Sequence, residues 1–416
     1  MRVDSIVLGA GIVGVSVAVH LAQRGRSVAL IDRRHPGEET SFGNAGLIQR
    51  EGVHPHAFPL DLGTLLKYGR NASTAMSYHP SALPGLIPFL ARYWWHSWPA
   101  RYEEITRRYA PLIAQSIAEH DALIRASDAE NLIGKRGWYQ VYRTEQAREA
   151  AFAEADVLSR EFGIASARLD GRAMAGLEPG LAIELAGAVH WVDPWTIYDP
   201  HALVMAYFAL FERLGGIFRQ ADATRLEENG NGQGWRLAAG GETIDAHEAV
   251  IALGPWSASV TRRLGYRLPL AVKRGYHMHY RQPERGPLRN WILDAEPGYL
   301  LAPMARGIRL TTGAEFARLE APKTPIQLAR AEAQAGRFFP IGERLDPEPW
   351  MGARPCTPDM MPIIGPAPRH RRLWFAFGHA HHGMTLGPAT GRIIAEQVTG
   401  ERTFIDARAF GADRFT

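Results

Sequence analysis

Cysteine is almost absent from this chain: Cys356 is the only one in 416 residues. That excludes an internal disulfide and any CxxC metal or redox motif, and a reducing compartment is the natural expectation. No lysine–arginine block is present and the formal net charge is only +4, so nucleic acid is not an expected partner. No apolar run reaches the roughly 18 residues of a membrane span. The nearest, Leu83 to Trp98, is interrupted by Pro84, Pro88 and Arg92. It reads as a core or subunit-interface helix, with a place on a membrane surface, tryptophans at the interface, as the alternative. No secretory leader is expected, because Arg2 and Asp4 run straight into a core strand. A cytoplasmic location follows, with peripheral contact on the inner membrane face as its variant. Repeats, low-complexity tracts and long linkers are also missing. What remains is a folded globular composition, 46% hydrophobic and 22% charged, with length enough for two or three domains.

The most informative segment comes first. The apolar run Ser5 to Leu8 leads into Gly9-Ala10-Gly11-Ile12-Val13-Gly14. A helical stretch follows from Val15 to Arg24, then a second apolar run from Val28 to Ile31 that ends on Asp32. This is strand, glycine turn, helix, strand, acid. Gly9 permits the tight turn, Gly11 lets backbone approach a pyrophosphate, and Gly14 lets the helix pack on the strand. The first-turn positions Ile12 and Val13 offer N–H groups to phosphate. Asp32 is spaced to bind a ribose hydroxyl. FAD and NAD both use such a unit; Asp32 disfavours the 2′-phosphate of NADP. Arg33 and Arg34 are either cofactor contacts or solvated charges at the strand end.

Further on, the chain reads mostly helical from about 57 to 160. Pro111 to Arg125 and Ala147 to Phe162 carry the helical period, and Trp138 to Tyr142 alternates as a strand. Asp199-Pro200 caps a helix from His201 to Leu214. Strands are expected at 216–218, 223–226, 235–238 and 248–253, with a hairpin turn at Asn229 to Gly234. More strands are expected between Lys273 and Thr312, and a helix from Pro325 to Phe338. Near the C-terminus, Leu373 to Phe377 leads through a glycine-rich stretch into a helix, Ala389 to Thr399. Two helix N-termini aimed at one region stabilise negative charge at two places; a flavin needs the second, and a simple NAD domain does not.

Five strings carry a resemblance over the whole chain: GAGIVG with Asp32, ETSFGNAG (39–46), VIALGPWS (250–257), WMGARPCTPD (350–359) and GHAHHGMTLGPATG (378–391). They resemble the D-amino-acid oxidase superfamily of FAD-dependent oxidoreductases, most closely its bacterial D-amino-acid dehydrogenase and glycine oxidase branch. The resemblance implies an α/β (α+β two-domain) fold. A Rossmann-like FAD-binding domain (1–56, 198–266 and 346–416) encloses a substrate domain (57–197 and 267–345) built on a mixed or antiparallel sheet with helices. It also implies roles. Thr40 and Ser41 bind pyrophosphate; Asn44, Ala45, Gly46 and Leu47 pass beside the flavin; Ala223 holds adenine. Ala252, Gly254 and Trp256 wall the adenosine, and His382, Gly383, Met384 and Thr385 offer N–H groups to the pyrimidine end. Arg354 matches the arginine that pairs with substrate carboxylate, Tyr276 falls where relatives place a tyrosine over substrate, and His379 is the histidine expected to approach it.

Two departures stand out. Met304 replaces an arginine of the glycine oxidase branch, so either Arg354 binds the carboxylate alone or Arg274 or Arg309 compensates. Cys356 lies a few residues beyond the flavin-tethering cysteine of sarcosine oxidases, so non-covalent FAD is expected. A bidentate arginine suits an α-carboxylate; the alternative for Arg354 is a structural role under the flavin. His379, His381 and His382 sit on a glycine-rich segment without a carboxylate or cysteine set, so no metal is expected. The implied reaction is FAD-dependent oxidative deamination of D-amino acids, D-proline or D-hydroxyproline among them, through an imine to a 2-oxo acid. Electrons would pass to a quinone or dye-like acceptor. A glycine- or sarcosine-type oxidase making hydrogen peroxide, and a flavin subunit of a larger complex, are the alternatives. An oligomer is compatible with the sequence. The substrate pocket is expected to be uncharged and partly aromatic, with Tyr276 and Met304 facing the substrate.

Overall fold

The computed structural model describes residues 1–230 and 232–415. Its first sheet is the expected nucleotide-binding one. Strands Ile217–Gln220, Val28–Asp32, Arg2–Leu8, Glu242–Ile251 and Leu373–Phe377 lie side by side in that order, all parallel. The inner strands Arg2–Leu8, Val28–Asp32 and Leu373–Phe377 are largely buried, as parallel strands are, which is why they read as mostly apolar runs, whereas the edge strand Ile217–Gln220 is half-buried to exposed. The hairpin expected at 229–234 joins Glu227–Glu228 to Trp235–Ala239 on the antiparallel edge; it includes Asn231, which is outside the described residues.

Helices Ile12–Gln23 and Gly383–Thr399 lie against each other on this sheet. Small residues permit the contact. A Cβ on Gly391 would sit 2.6 Å from the Ser16 carbonyl carbon, and one on Gly387 would sit 2.9 Å from the Ile12 side chain. The C-terminal helix therefore begins at Gly383, six residues before the expected Ala389: the glycine-rich string is itself helical. Pro388 inside it lacks the N–H that would bond the Met384 carbonyl. His120 takes up that carbonyl through Nε2 at 2.7 Å, and its Nδ1 meets the Tyr207 hydroxyl at 2.9 Å.

The second sheet is mixed and mostly antiparallel, as expected. Its centre is the strand Ala271–Tyr280, flanked by Gly307–Thr311, Ala314–Phe316 and Trp350–Cys356. The last of these, assigned from the sequence to the nucleotide-binding part, is hydrogen-bonded into this sheet instead. Other differences are local. Residues 223–225 form a 3₁₀ turn rather than a strand, because the Asp222 carboxylate accepts the Thr224 N–H at 3.0 Å. The helical pattern around Pro111 is shared by two helices, Pro99–Ala114 and Ser116–Ala126, that meet at Gln115. Leu83–His96 is a helix in which only Phe89 and Tyr93 are buried, so of the expected core or subunit-interface roles the first does not hold. Ile87, Trp94, Trp95 and the following Trp98 are exposed, as are Leu62 and Leu66 of the neighbouring helix Leu62–Gly69. Among the described residues, no helix is long and apolar enough to cross a membrane.

Gly391→Ala should cost about 1–3 kcal/mol, the usual price of overpacking, because the blocking atoms are backbone. Denaturant midpoints of the variant and parent check this; equal midpoints would show that the two helices are free to part there.

Candidate active site

One cavity of about 860 Å³ runs from the first glycine turn to the central strands of the second sheet. At its nucleotide end the chain leaves room that only glycine can leave. Gly9 has φ +102°, and a Cβ there would lie 2.4 Å from the Ala252 carbonyl oxygen; on Gly14 it would lie 1.8 Å from the Gly9 carbonyl oxygen. Gly14 thus acts through helix–strand packing and does not reach the cavity, while Gly9, Gly11, Ile12 and Val13 line it. The helix begins at Gly11 without a side chain at the capping position, although Ser41 Oγ accepts the Ile12 N–H at 3.0 Å. Asp32 accepts the Ala10 N–H at 2.7 Å and the Arg34 N–H at 3.2 Å and lines the cavity. Burial raises its pKa above the usual carboxylate range, against the pull of those N–H groups.

Glu39 engages both neighbouring arginines, Arg33 at 2.6 Å and Arg34 at 3.2 Å. Arg33 lies over the Trp256 ring at 4.3 Å and lines the cavity with it; Arg34 does not. Ala223, Ala252 and Gly254 complete this end. Thr40 also lines it while donating to the Ala353 carbonyl at 3.0 Å.

In the middle, the loop through Asn44, Ala45 and Leu47 forms the wall. Its shape is fixed from several sides. Asn44 Oδ1 accepts the Gly46 N–H at 2.8 Å, the Trp291 indole donates to the Ala45 carbonyl at 3.0 Å, and Arg309 donates to the Asn44 carbonyl. Gly46, at φ +73°, is turned away from the cavity: its Cβ position faces the Ile197 carbonyl oxygen at 2.5 Å and Met304 Cε at 2.8 Å. Met304 therefore packs beneath this loop and does not face substrate. Arg309 is buried, held by His279 at 3.0 Å, and off the cavity, so it replaces no carboxylate anchor.

The C-terminal helix brings its N-terminus to the same wall. Gly383 and Met384 line the cavity, and the first-turn N–H groups of Gly383, Met384 and Thr385 have no acceptor within the helix. The expected donor His382 is already used, because its N–H bonds the His379 carbonyl at 2.9 Å to shape the turn. Its ring lines the cavity with Nδ1 on the Tyr109 hydroxyl at 2.8 Å and Nε2 buried without a partner. Thr385 sits behind the wall, where its hydroxyl accepts the Gln49 N–H at 3.2 Å.

At the far end the two faces of the strand Ala271–Tyr280 decide which side chains are available. Arg274 and Tyr276 share one face. There Arg274 pairs with Glu315 at 2.7 Å, and the Tyr276 hydroxyl donates to Glu315 and accepts the Thr324 N–H, both at 2.9 Å. Arg274 is wholly buried and off the cavity, and Tyr276 reaches the wall with its hydroxyl committed elsewhere. Lys273 and Gly275 share the other face and line the cavity beside Arg354, as the two-residue period of a strand requires. Arg354 lies over Gly275, where a Cβ would be 2.5 Å from Nη2, and among the described residues its one acceptor is the Gly313 carbonyl at 3.0 Å. Burial holds its pKa below the usual guanidinium range. His379 lines the cavity, but its Nε2 bonds Thr390 at 2.9 Å and burial pushes its pKa down to about 3, so it is a neutral brace. His56 and His381, absent from the expected set in this role, stand 4.3 Å apart along the same wall. No group of three or more histidine, cysteine, aspartate or glutamate side chains suited to a metal occurs among the described residues.

A turn that only glycine permits, two helix N-termini on one long cleft, and an acid at the end of the second strand are what a dinucleotide-dependent redox enzyme with a flavin would use. The chain belongs to the FAD dependent oxidoreductase (DAO) family, whose pattern matches residues 4–397, and it is an FAD-dependent oxidoreductase. It is 30% identical over 422 residues to a D-amino-acid oxidase of Bradyrhizobium diazoefficiens, covering 98% of each chain. It is 31% identical over 427 residues to a D-amino acid dehydrogenase of Paramagnetospirillum magneticum, covering 99% of this chain and 98% of the other. In structure it is similar to glycine oxidase from Geobacillus kaustophilus, with a TM-score of 0.77 at 22% identity over 100% of this chain and 99% of that one.

Cys356 lines the cavity, but its thiol is buried and burial raises its pKa, which keeps it a poor nucleophile. Acid precipitation of the yellow protein should therefore leave FAD in the supernatant. Flavin absorbance that stays with the precipitate would show a covalent tether.

Proposed function

We propose that this protein oxidatively deaminates D-amino acids, using FAD, and passes the electrons to an acceptor other than oxygen. The observation that carries this reading is Arg354: a guanidinium in the cavity wall with one carbonyl partner and an open fork, continuous with the dinucleotide cradle. Two relatives named D-amino-acid oxidase and D-amino acid dehydrogenase, similar over nearly their full length, support the substrate class.

Bound FAD supplies a hydride acceptor for the substrate Cα–H. Gly9, Gly11 and the N-terminus of helix Ile12–Gln23 would hold its pyrophosphate, Asp32 its ribose, and the N–H groups of Gly383 and Met384 the far end of its ring. The chain's own residues then do three things. Arg354 fixes both oxygens of the α-carboxylate in one plane. The loop at 44–47, clamped by Arg309 and Trp291, keeps the opposite wall at a constant distance. Together the anchor and the wall leave one enantiomer with its Cα–H directed across the cleft. Hydrolysis of the imine gives the 2-oxo acid and ammonia. The exposed Leu62, Leu66, Ile87, Trp94, Trp95 and Trp98 fit an acceptor drawn from an apolar phase, such as a membrane quinone.

A screen of D- and L-amino acids with dye and with oxygen as oxidants tests the reading. D-forms should be preferred and dye should outpace oxygen; preference for L-forms, or rapid hydrogen peroxide formation in air, would overturn the corresponding half. Arg354→Ala should retain flavin and lose about 2–5 kcal/mol in kcat/KM, the scale for stranding one charge of a buried pair. Normal kinetics in that variant would move the anchor elsewhere, and loss of flavin would make Arg354 structural.

A further inference from the structure

The substrate end of the cavity was expected to be uncharged, and it is not. Lys273 and Arg354 are register partners on adjacent antiparallel strands. Directly opposed residues project to the same side of a sheet with Cβ atoms roughly 4.5–5.5 Å apart, and like charges so placed are destabilising. Both line the cavity. Among the described residues no carboxylate is among the charges that shift either group.

The protein does not otherwise satisfy this pair. The Lys273 ammonium has one oxygen acceptor, the Tyr93 hydroxyl at 3.2 Å, and a thioether contact with Met360 at 3.8 Å. Tyr93 and Phe316 offer it ring faces at 4.4 and 5.2 Å. Arg354 has the single carbonyl already described. The nearby imidazoles add no further charge. Burial first, and then these two cations, hold His56 at about 4, so it carries no charge near neutral pH. Of the carboxylates lining this cleft, Glu51 takes the Trp138 indole at 3.0 Å and Gln49 at 3.1 Å on Oε1 and leaves Oε2 unpartnered, and Glu154 lies 3.9 Å from His54; neither forms a hydrogen bond or ion pair with Lys273 or Arg354 among the described residues.

A single α-carboxylate balances one of the two charges. We propose that Lys273 is a specificity-determining residue that binds a second carboxylate, so that the preferred substrates are amino acids with an acidic side chain, of the aspartate and glutamate class. This rests on the reading of Arg354 as the α-carboxylate anchor. A four- or five-carbon dicarboxylate presents its two ends to the two adjacent cations, while Tyr93 and Phe316 hold the ammonium in place as a cation seated against rings. Burial and the charge of Arg354 push the Lys273 pKa below its usual range; a dianion relieves both effects.

The test uses the flavin-loaded protein and ligands that cannot be oxidised. Succinate and glutarate are titrated against butyrate and valerate, followed by the change in flavin absorbance. The parent should bind the dicarboxylates at least tenfold more tightly, and Lys273→Met should collapse that ratio at least tenfold. An unchanged ratio in Lys273→Met overturns the proposal, whether Lys273 merely packs against Tyr93 or shares the first carboxylate with Arg354. If the methionine variant loses flavin, Lys273→Arg is decisive: retained dicarboxylate preference supports the proposal and its loss overturns it. Turnover of D-glutamate and D-aspartate against D-alanine and D-norvaline separates the two readings. Absence of all amino-acid oxidation with the binding ratio intact would sink the proposed reaction and leave the second anion site standing.

Discussion

The close contact between helices Ile12–Gln23 and Gly383–Thr399 is the constraint on which the site depends. Gly387 and Gly391 let the second helix lie almost backbone to backbone on the first. At that separation both N-termini reach one cleft, so a long anionic ligand lying along it would meet positive potential at two places. The glycine of the first turn obeys the same logic at shorter range, with Gly14 against Gly9 and Gly9 against Ala252. Pro388 belongs to this arrangement too. It removes one helix hydrogen bond beside the cleft, and the protein meets the freed carbonyl with the His120–Tyr207 pair rather than leaving it bare.

The cleft has a gradient of charge along its length. The end at the first glycine turn is acidic and balanced, with Asp32 held by backbone N–H groups and Glu39 between two arginines. The middle is neutral and made of backbone. The far end is cationic and unbalanced, walled by rings and imidazoles that burial keeps neutral. Under the proposed function, an anionic cofactor and an anionic substrate would approach from two sides a space whose own charges complement both.

The nucleotide half was legible because its signals are local. The Gly9–Gly14 turn, Asp32 and the apolar runs around them are each set by a few adjacent residues, and the strings at 39–46 and 378–391 carried the resemblance. Elements failed where the signal was not local. Glycine and proline in 383–391 read as a loop because their helix breaking is intrinsic, whereas the neighbouring helix and His120 that override it are distant in sequence. On the strand Ala271–Tyr280, Tyr276 was singled out and reaches the cavity wall with its hydroxyl committed to Glu315, while Arg274, an alternative anchor, is off the cavity; Lys273 and Gly275, on the open face, were not singled out. Met304 was expected to face the substrate and Arg309 was another alternative anchor, but the fold places both off the cavity against the 44–47 loop. Alternation along 271–280 was visible in principle; which of the two faces looks into the cleft was not, because Glu315 and Thr324, which claim the other face, come from elsewhere in the chain.

The two helices that meet over the cleft are far apart in sequence, and the segments between them supply most of the first sheet and all of the second. The cleft is thus closed by a contact between distant parts of the chain, so a fragment lacking Gly383–Thr399 would hold only one of the two N-termini.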